Sequence, residues 1–244
     1  MHRLMRPDGR ANDEMRPVAI ELHVLPYAEG SAFITMGETR VLCAASVEER
    51  IPQWRKGTGR GWLTAEYSML PRSTQTRTER DGRRGRVDGR VQEIQRLIGR
   101  SLRAALSLDG IGERTIVIDC DVFVADGGTR TASITGGYVA LALAINRMRE
   151  AGVLRADPLR WQVAAVSAGI VAGEARLDLA YLEDSAAQTD MNCVAAGDGR
   201  FIELQGSAEQ EPFSRAEIDQ MLELAGSGMQ TLFAAQREAL AAPG

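Results

Sequence analysis

The sequence feature that most constrains the fold of this chain is a stretch of glycines and hydroxyl residues between a predicted apolar strand and a predicted helix. Residues 115–125 alternate in a way that predicts a β-strand, and residues 138–149 have the composition of a helix. Between them the chain reads D-G-G-T-R-T-A-S-I-T-G-G over residues 126–137. At such a junction, free backbone N–H groups and the positive end of the helix dipole favour an anion. The junction therefore predicts an anion-binding loop.

The side chains of this loop fit the same interpretation. Arg130 offers a planar fork for phosphate oxygens, and Thr129, Thr131 and Ser133 offer hydroxyl donors. The spacing is neither that of a P-loop, because no Gly-Lys-Ser/Thr follows, nor that of the dinucleotide fingerprint G-x-G-x-x-G. A glycine turn followed by a simple helix N-cap is the alternative.

Composition narrows the class of protein. With 244 residues, 44% of them hydrophobic and 25% charged, the chain fits a globular protein with a proper core. Residues 1–10 have no apolar signal core and no run of about 18 apolar residues occurs, so we expect a cytoplasmic protein that does not span a membrane. The two histidines, His2 and His23, lie beside no plausible nucleophile, so we expect no Ser-His-Asp mechanism and no histidine-rich zinc site. Cys43, Cys120 and Cys193 lack metal spacing and are expected to be buried free thiols.

Arginines are concentrated between residues 72 and 90. Seven of them stand against three acidic residues there, although the net charge of the chain is −4. Clustered arginines neutralise phosphates, so this segment predicts contact with a nucleic acid, with a solvated surface loop as the alternative. It has no periodicity and is expected to be a mobile loop. The arginines expected to contact RNA are Arg72, Arg77, Arg80, Arg83, Arg84 and Arg86, and a smaller basic group, Arg50, Arg55, Lys56 and Arg60, precedes them.

An acidic segment, residues 178–192, is the second candidate for chemistry. Asp184 and Asp190 are separated by a turn of small residues that could bring both carboxylates to one side. Carboxylates next to bound phosphate suit a hydrated Mg²⁺ ion, and one of them could instead donate a proton to a leaving oxygen. A pair of turn-forming aspartates is the alternative.

The order of predicted elements indicates an α+β fold. We expect helices at 92–108, at 136–150 and at 214–240, the last interrupted at 226–228 by glycines and opened by a capping box at 214–217. A linker at 151–158 divides the chain into two parts, which could be similar to each other. Strands are expected at 18–24, 30–36, 39–47, 61–69, 115–125, 161–172, 174–180, 188–195 and 201–205.

Several collinear motifs resemble the ribonuclease PH family, over essentially the whole chain. They are R-P-D-G-R at 6–10, G-W-L-T-A-E-Y at 61–67, M-L-P-R-S at 69–73, E-I-Q-R-L-I at 93–98, D-C-D at 119–121, A-D-G-G-T-R-T-A-S-I-T-G at 125–136, E-D-S-A-A at 183–187 and T-D-M-N at 189–192.

This resemblance implies one domain of two related β-α-β units, with approximate halves 1–150 and 151–244, that forms a homo-hexameric ring built as a trimer of dimers. The implied activity is that of a tRNA nucleotidyltransferase. Such an enzyme uses inorganic phosphate to trim the 3′ end of tRNA precursors, releases nucleoside 5′-diphosphates, and adds nucleotides in the reverse reaction. A catalytically inactive RNA-binding ring subunit of the same superfamily is the alternative, and a hydrolytic nuclease is a second competitor.

The resemblance also implies roles for particular residues. It implies that phosphate is held by Arg90, Gly128, Thr129 and Arg130, and that Asp178, Asp184 and Asp190 are the catalytic acids. Mg²⁺ is expected at Asp184 and Asp190, with Asp184 as the favoured proton donor. An inactive subunit would lack the arginine or the aspartate set, whereas this chain has both. The chain departs from the family pattern around residues 76–89.

Overall fold

The described residues form two β-sheets and four α-helices. The computed structural model describes residues 6–80, 88–209 and 211–242. The predicted α+β class is confirmed. The strands are β1 Val18–Leu22, β2 Gly30–Met36, β3 Thr39–Glu48, β4 Trp62–Met69, β5 Thr115–Val124, β6 Val163–Val171, β7 Glu174–Leu177, β8 Thr189–Ala196 and β9 Phe201–Ala208. The helices are α1 Gly89–Ala105, α2 Thr129–Glu150, α3 Tyr181–Asp184 and α4 Arg215–Ala241, with a 3-10 turn at Gln53–Arg55.

The first sheet has the strand order β1-β2-β3-β5-β4. Its first three strands are antiparallel, and Gly37, at a φ of 57°, makes the tight turn between β2 and β3. Strand β4 runs parallel to β5, so the connection between them has to cross over, and α1 provides it. The second sheet, β7-β6-β8-β9, is antiparallel throughout.

Helix α2 lies between the two sheets. It contacts β2 and β3 of the first sheet and β6 of the second, and most of its residues are buried. Close approach depends on small residues: a side chain at Gly136 would place Cβ 2.8 Å from Ile34. One continuous hydrophobic core therefore draws residues from both halves of the chain. The three cysteines are buried and free, as predicted.

Three helices differ from the sequence prediction. Helix α2 begins at Thr129 instead of residue 136, so most of the predicted loop is helical. Helix α1 begins at Gly89 because the Asp88 side chain accepts a hydrogen bond from the Arg90 N–H group, at 2.8 Å. Helix α4 continues through residues 226–228 without a break, because Gly228 serves close packing against Leu177 instead of a turn. Among the described residues, no helix is long and apolar enough to cross a membrane.

Candidate active site

The glycine pair before helix α2 makes a tight left-handed turn. Gly127 and Gly128 have φ values of 75° and 65°, a region that residues with a side chain rarely adopt. Gly127 also has no room for a side chain, since a Cβ atom there would lie 2.4 Å from the Leu179 carbonyl oxygen. Gly128 caps α2, and no side chain caps the helix. The first N–H groups of α2 have no acceptor within the helix, so this terminus can bind an anion.

Two arginines meet at this helix terminus. Arg130 lies in the first turn of α2, and its Nη1 atom is 3.5 Å from an Oε2 atom of Glu93 in α1. Arg90 lies in the first turn of α1, so the N-terminal ends of both helices converge. Thr129 is fixed by a 2.9 Å hydrogen bond between its hydroxyl and that of Tyr67. The structure therefore brings Arg90, Gly128, Thr129 and Arg130, the four residues expected to hold phosphate, to the lining of one cavity.

The expected roles of two other hydroxyls were wrong. Thr131 donates to the Gly128 carbonyl, and Ser133 donates to the Thr129 carbonyl, each at 2.8 Å. Both side chains are buried within the helix packing. A serine or threonine inside a helix readily bonds to a carbonyl one turn earlier, and so these hydroxyls do not reach the anion site.

A cavity of about 800 Å³ opens in front of the two helix termini. The arginines form one wall of it, and residues of α3, β6, β8 and β9 form the other. Residues from both halves of the chain line this cavity. Its lining includes Met69, Thr74, Arg90, Gly127, Gly128, Thr129, Arg130, Ser167, Tyr181, Asp184, Asp190, Asn192, Ser207 and Glu209.

Two carboxyl groups face the arginines across this cavity. Asp184 ends the short helix α3, and Asp190 lies on β8 opposite Gly169 of β6, which has no side chain. Burial, and after it the charge of Asp184, raises the pKa of Asp190 to about 6 against the opposing charge of Arg130. Burial also raises the pKa of Asp184, against the opposing charges of Arg90 and Arg130. Two interacting carboxyls in a desolvated cavity share protons, so their titration belongs to the pair.

One oxygen of this pair has no hydrogen-bond partner among the described residues. Oδ1 of Asp190 is buried and unpaired, whereas Oδ2 is 3.4 Å from the amide of Asn192. An unpaired buried carboxylate oxygen is costly unless a ligand or a proton satisfies it. This atom is therefore available to a proton or to a ligand in the cavity.

Asp178 does not reach the cavity. It is fully buried, and Arg16 donates to its carboxylate through Nη2 at 2.7 Å, Nε at 3.0 Å and the backbone N–H at 2.8 Å. Burial alone would raise the pKa of Asp178, but the hydrogen bonds and charge of Arg16 outweigh it and hold the pKa below the usual value. Arg16 also donates to the carbonyl groups of Asp126 and Gly127. Asp178 is therefore placed to position the glycine turn through Arg16, and the structure does not bring it to the reacting groups.

A buried charge network that the sequence did not reveal supports the acidic wall. Arg6 binds Glu183 through two contacts of 2.9 and 2.7 Å, and Arg176 donates to the same carboxylate at 3.0 Å. Glu183 directly precedes Asp184, so this network fixes the helix that carries Asp184. The motifs R-P-D-G-R and E-D-S-A-A contained two of the partners, but Arg6 and Glu183 are 177 positions apart, and no local pattern pairs them.

The expected RNA-contacting arginines lie outside the cavity where the structure describes them. Arg72, Arg77 and Arg80 are exposed and do not line it, although Thr74 from the same segment does. This segment turns back on itself, since the Thr78 N–H donates to the Pro71 carbonyl at 2.9 Å. Three further predicted contacts, Arg83, Arg84 and Arg86, lie outside the described residues.

The residues of the acidic wall fit a magnesium ion. Over the described ranges, no group of three or more histidine, cysteine, aspartate or glutamate residues could hold a metal by itself. Mg²⁺ commonly takes one or two carboxylates and completes its shell with water and substrate phosphate oxygens. Asp184 and Asp190, whose Oδ1 atom has no partner among the described residues, supply that partial set.

The fold and the cavity define an α+β protein in which a basic wall faces a carboxyl wall. Residues 14–145 match domain 1 of the 3′ exoribonuclease family, and residues 162–228 match domain 2. The chain therefore belongs to the 3′ exoribonuclease family of the ribonuclease PH type. This confirms the resemblance that the sequence motifs indicated.

Solved structures have the same fold at low sequence identity. The chain is similar to rice (Oryza sativa) Rrp46, with a TM-score of 0.78, 19% identity, and coverage of 96% of this chain and 100% of that one. It is also similar to a chain of the Archaeoglobus fulgidus exosome with RNA bound to the active site, with a TM-score of 0.80, 22% identity, and coverage of 97% and 93%. A chain of an archaeal exosome core gives a TM-score of 0.75 at 21% identity, with coverage of 96% and 91%.

Proposed function

We propose that this protein is a phosphorolytic 3′–5′ exoribonuclease that trims the 3′ end of tRNA precursors with inorganic phosphate. One observation carries the proposal: a single cavity holds Arg90, Arg130 and the free N-terminus of α2 on one side and Asp184 and Asp190 on the other. A hydrolytic nuclease would need no dedicated site for a second phosphate, and a subunit that only binds RNA would need no carboxyl pair facing it.

The basic wall would hold the attacking phosphate. Arg90 and Arg130 offset its repulsion from the scissile phosphodiester, and the N–H groups of Gly128 and Thr129 orient its oxygens. An oxygen of the inorganic phosphate attacks the phosphorus of the terminal phosphodiester. The new P–O bond forms as the bond to the 3′-oxygen of the preceding nucleotide breaks. The terminal nucleotide then leaves as a nucleoside 5′-diphosphate.

The carboxyl pair would supply the proton for the leaving 3′-oxygen. Asp184 is the donor favoured from the sequence. Asp190 has an equally suitable position and a raised pKa, so it can also donate the proton. Mg²⁺ bound by Asp184 and Asp190 would supply stabilisation of negative charge on the transferring group. Because the diphosphate product stores comparable bond energy, the same residues catalyse nucleotide addition in reverse.

We also propose that the protein forms a homo-hexameric ring, a trimer of dimers, as the resemblance implies. The described surface supports self-association, since Tyr27 is 96% exposed and Leu25 and Phe123 are 37% and 40% exposed. Light scattering coupled to size-exclusion chromatography measures the assembly directly. A monomer at micromolar concentration would contradict the ring.

Product identity tests the activity. Purified protein is incubated with Mg²⁺ and a tRNA precursor that has a 3′ extension, with and without inorganic phosphate, and the released nucleotides are separated by chromatography. We expect nucleoside 5′-diphosphates, formed in the presence of phosphate. Nucleoside monophosphates independent of phosphate would show hydrolysis. RNA binding with no product under either condition would instead support the inactive ring subunit.

A further inference from the structure

We propose that Trp54 and the arginines around it form a second RNA-binding surface, on which bases upstream of the reacting 3′ end stack. The proposal rests on the proposed function, because it extends the path of an RNA whose end lies in the cavity. The surface, called the tryptophan platform below, consists of Trp54, Arg55, Trp62 and Arg103.

The platform is a partly exposed cluster of two aromatic rings and two guanidinium groups. Trp54 is 64% exposed, and its ring meets that of Trp62 edge to face, with centroids 4.9 Å apart. The Arg55 guanidinium lies 5.0 Å from the centre of the Trp54 ring and 4.9 Å from that of Trp62. Arg103 covers Trp62 at 4.5 Å. Exposed aromatic faces next to arginine are the surfaces on which single-stranded nucleic acids stack their bases.

The charge of the platform is incompletely balanced within the described chain. Nε of Arg55 is buried and has no hydrogen-bond partner among the described residues. Arg103 is held by the Leu63 carbonyl at 2.9 Å, a contact that leaves its positive charge in place. Lys56 is exposed next to Arg55 in sequence. A polyanion would supply the missing negative charge, which an apolar protein partner would not.

Helix α1 connects the platform to the cavity. Arg90 is at the cavity end of this helix and Arg103 is at the platform end, a distance of about 20 Å at ~1.5 Å per residue. Strand β4 gives an independent measure, since it runs from Trp62 to Met69 at the cavity, about 23 Å at ~3.3 Å per residue. An RNA with its 3′ end in the cavity therefore reaches the platform after several nucleotides.

Arginines also line the side of α1 between these two points. At about 100° per residue, Arg96, Arg100 and Arg103 fall within about 60° of one another around the helix. Arg96 and Arg100 are exposed, and Glu203 partly offsets Arg100 at 2.6 Å. This stripe gives the phosphates between cavity and platform a basic surface to follow.

The test compares RNA length with variants of two tryptophans. Wild type, Trp54→Ala and Trp54→Tyr are measured by fluorescence anisotropy with a labelled trinucleotide and a long unstructured oligonucleotide, without phosphate, so that no turnover occurs. Trp161→Ala is the matched control. Trp161 resembles Trp54 in being 40% exposed with an arginine, Arg200, 4.7 Å from the centre of its ring. It differs because the charge of Arg200 is paired with Asp198 at 2.7 Å. It also precedes β6 at the end of that strand away from Asp190, and so away from the cavity.

We expect Trp54→Ala to weaken binding of the long RNA by at least about fivefold more than binding of the trinucleotide, since one stacked base is lost. Trp54→Tyr should recover most of the loss, and Trp161→Ala should show no length-dependent loss. Equal losses on both RNAs, or the same loss in Trp161→Ala, would overturn the platform. So would a change of oligomeric state in Trp54→Ala by light scattering, because the surface would then be a contact between copies.

The outcome is separable from that of the proposed function. Wild-type protein that releases no nucleoside diphosphate, but loses long-RNA affinity in Trp54→Ala, would refute phosphorolysis and retain the platform. Wild-type protein that releases diphosphates, together with normal binding of both RNAs by Trp54→Ala, would support phosphorolysis and refute the platform.

Discussion

Asp178 and Asp190 are two aspartates near the same glycine turn, in opposite surroundings. Asp178 lies behind the turn, where Arg16 satisfies both of its oxygens and lowers its pKa. Asp190 lies in the cavity, where one oxygen has no partner in the described chain and the pKa rises to about 6. The oxygens of a paired buried carboxylate are satisfied within the fold, whereas an unpaired oxygen is available to a proton or a ligand. The acidic residues that the sequence grouped together therefore divide into one that is paired behind the turn and two that line the cavity.

The largest expected effect is a loss of turnover on substitution of the two aspartates that line the cavity. Asp190→Asn and Asp184→Asn keep the side-chain shape but remove proton donation and metal attraction. We expect phosphorolysis to fall by about 10²–10⁴-fold, the range for loss of a general acid. RNA affinity and the unfolding temperature should change little. The rate of diphosphate release under saturating phosphate measures the effect.

Glu209→Gln is the control, because Glu209 is an exposed acid that lines the same cavity. It should retain most of the activity. Wild-type turnover in Asp184→Asn would show that the acidic wall has no catalytic role at that position, and the same result for Asp190→Asn would leave Asp184 as the donor.

The next effect is on stability. Asp178→Asn removes the carboxylate that Arg16 contacts most closely and leaves only that of Asp126, 3.8 Å from Nη1, so we expect the free energy of unfolding to fall by about 3 kcal/mol. Urea denaturation at neutral pH measures it. Asp198→Asn removes an exposed partner of Arg200 and should show no measurable loss. An undiminished unfolding free energy in Asp178→Asn would contradict the structural role.

The pairing of Asp178 with Arg16 also predicts how the free energy of unfolding depends on pH. The folded pKa of Asp178 is lowered, so the unfolded chain, with a pKa of about 3.9, binds the proton more tightly. The contribution of the pair is complete above the unfolded pKa and is lost as the pH falls through the folded pKa. Below about pH 4 the wild type should therefore lose stability more steeply than Asp178→Asn. Parallel curves would indicate that the pair does not titrate as described.

A smaller loss is expected on the basic wall. Arg130→Ala and Arg90→Ala each remove a charge-assisted contact to phosphate worth roughly 1.5–3 kcal/mol. The KM for phosphate should rise about tenfold or more, with a much smaller change in RNA affinity measured without phosphate. Arg215→Ala is the control, since Arg215 is exposed on α4 and paired with Asp219 at 3.0 Å. Unchanged phosphate dependence in both variants would place the anion site elsewhere.

The smallest effect concerns the basic segment. Neutralising Arg77, Arg80, Arg83 and Arg84 together should weaken tRNA binding and lower the slope of log affinity against log salt, because fewer counterions are released. The loss should be larger for tRNA than for a very short oligonucleotide. Equal losses would place the segment at the reacting phosphate, and no loss on either would leave it as a solvated surface.

Local patterns predicted most elements of the fold and half of the site. Alternating residues located β5, and helical spacing located α1, because these periodicities are properties of the backbone itself. The glycine pair also located the turn before α2, since a left-handed turn before a helix needs glycine. The start of α2 was wrong because hydroxyl residues favour loops in isolation. Burial between two sheets holds Thr131 and Ser133 in a helix instead.

By itself, the sequence determined the family, most of the elements and the side chains proposed to bind phosphate or carry a proton. Tertiary structure alone decided which of those groups meet. Asp178 and Arg16 are 162 positions apart, and their pairing makes one aspartate structural. Asp184 and Asp190 face Arg90 and Arg130 only because α2 packs between both sheets. The physical reason is that charge and burial depend on neighbours in space, which local sequence patterns do not encode.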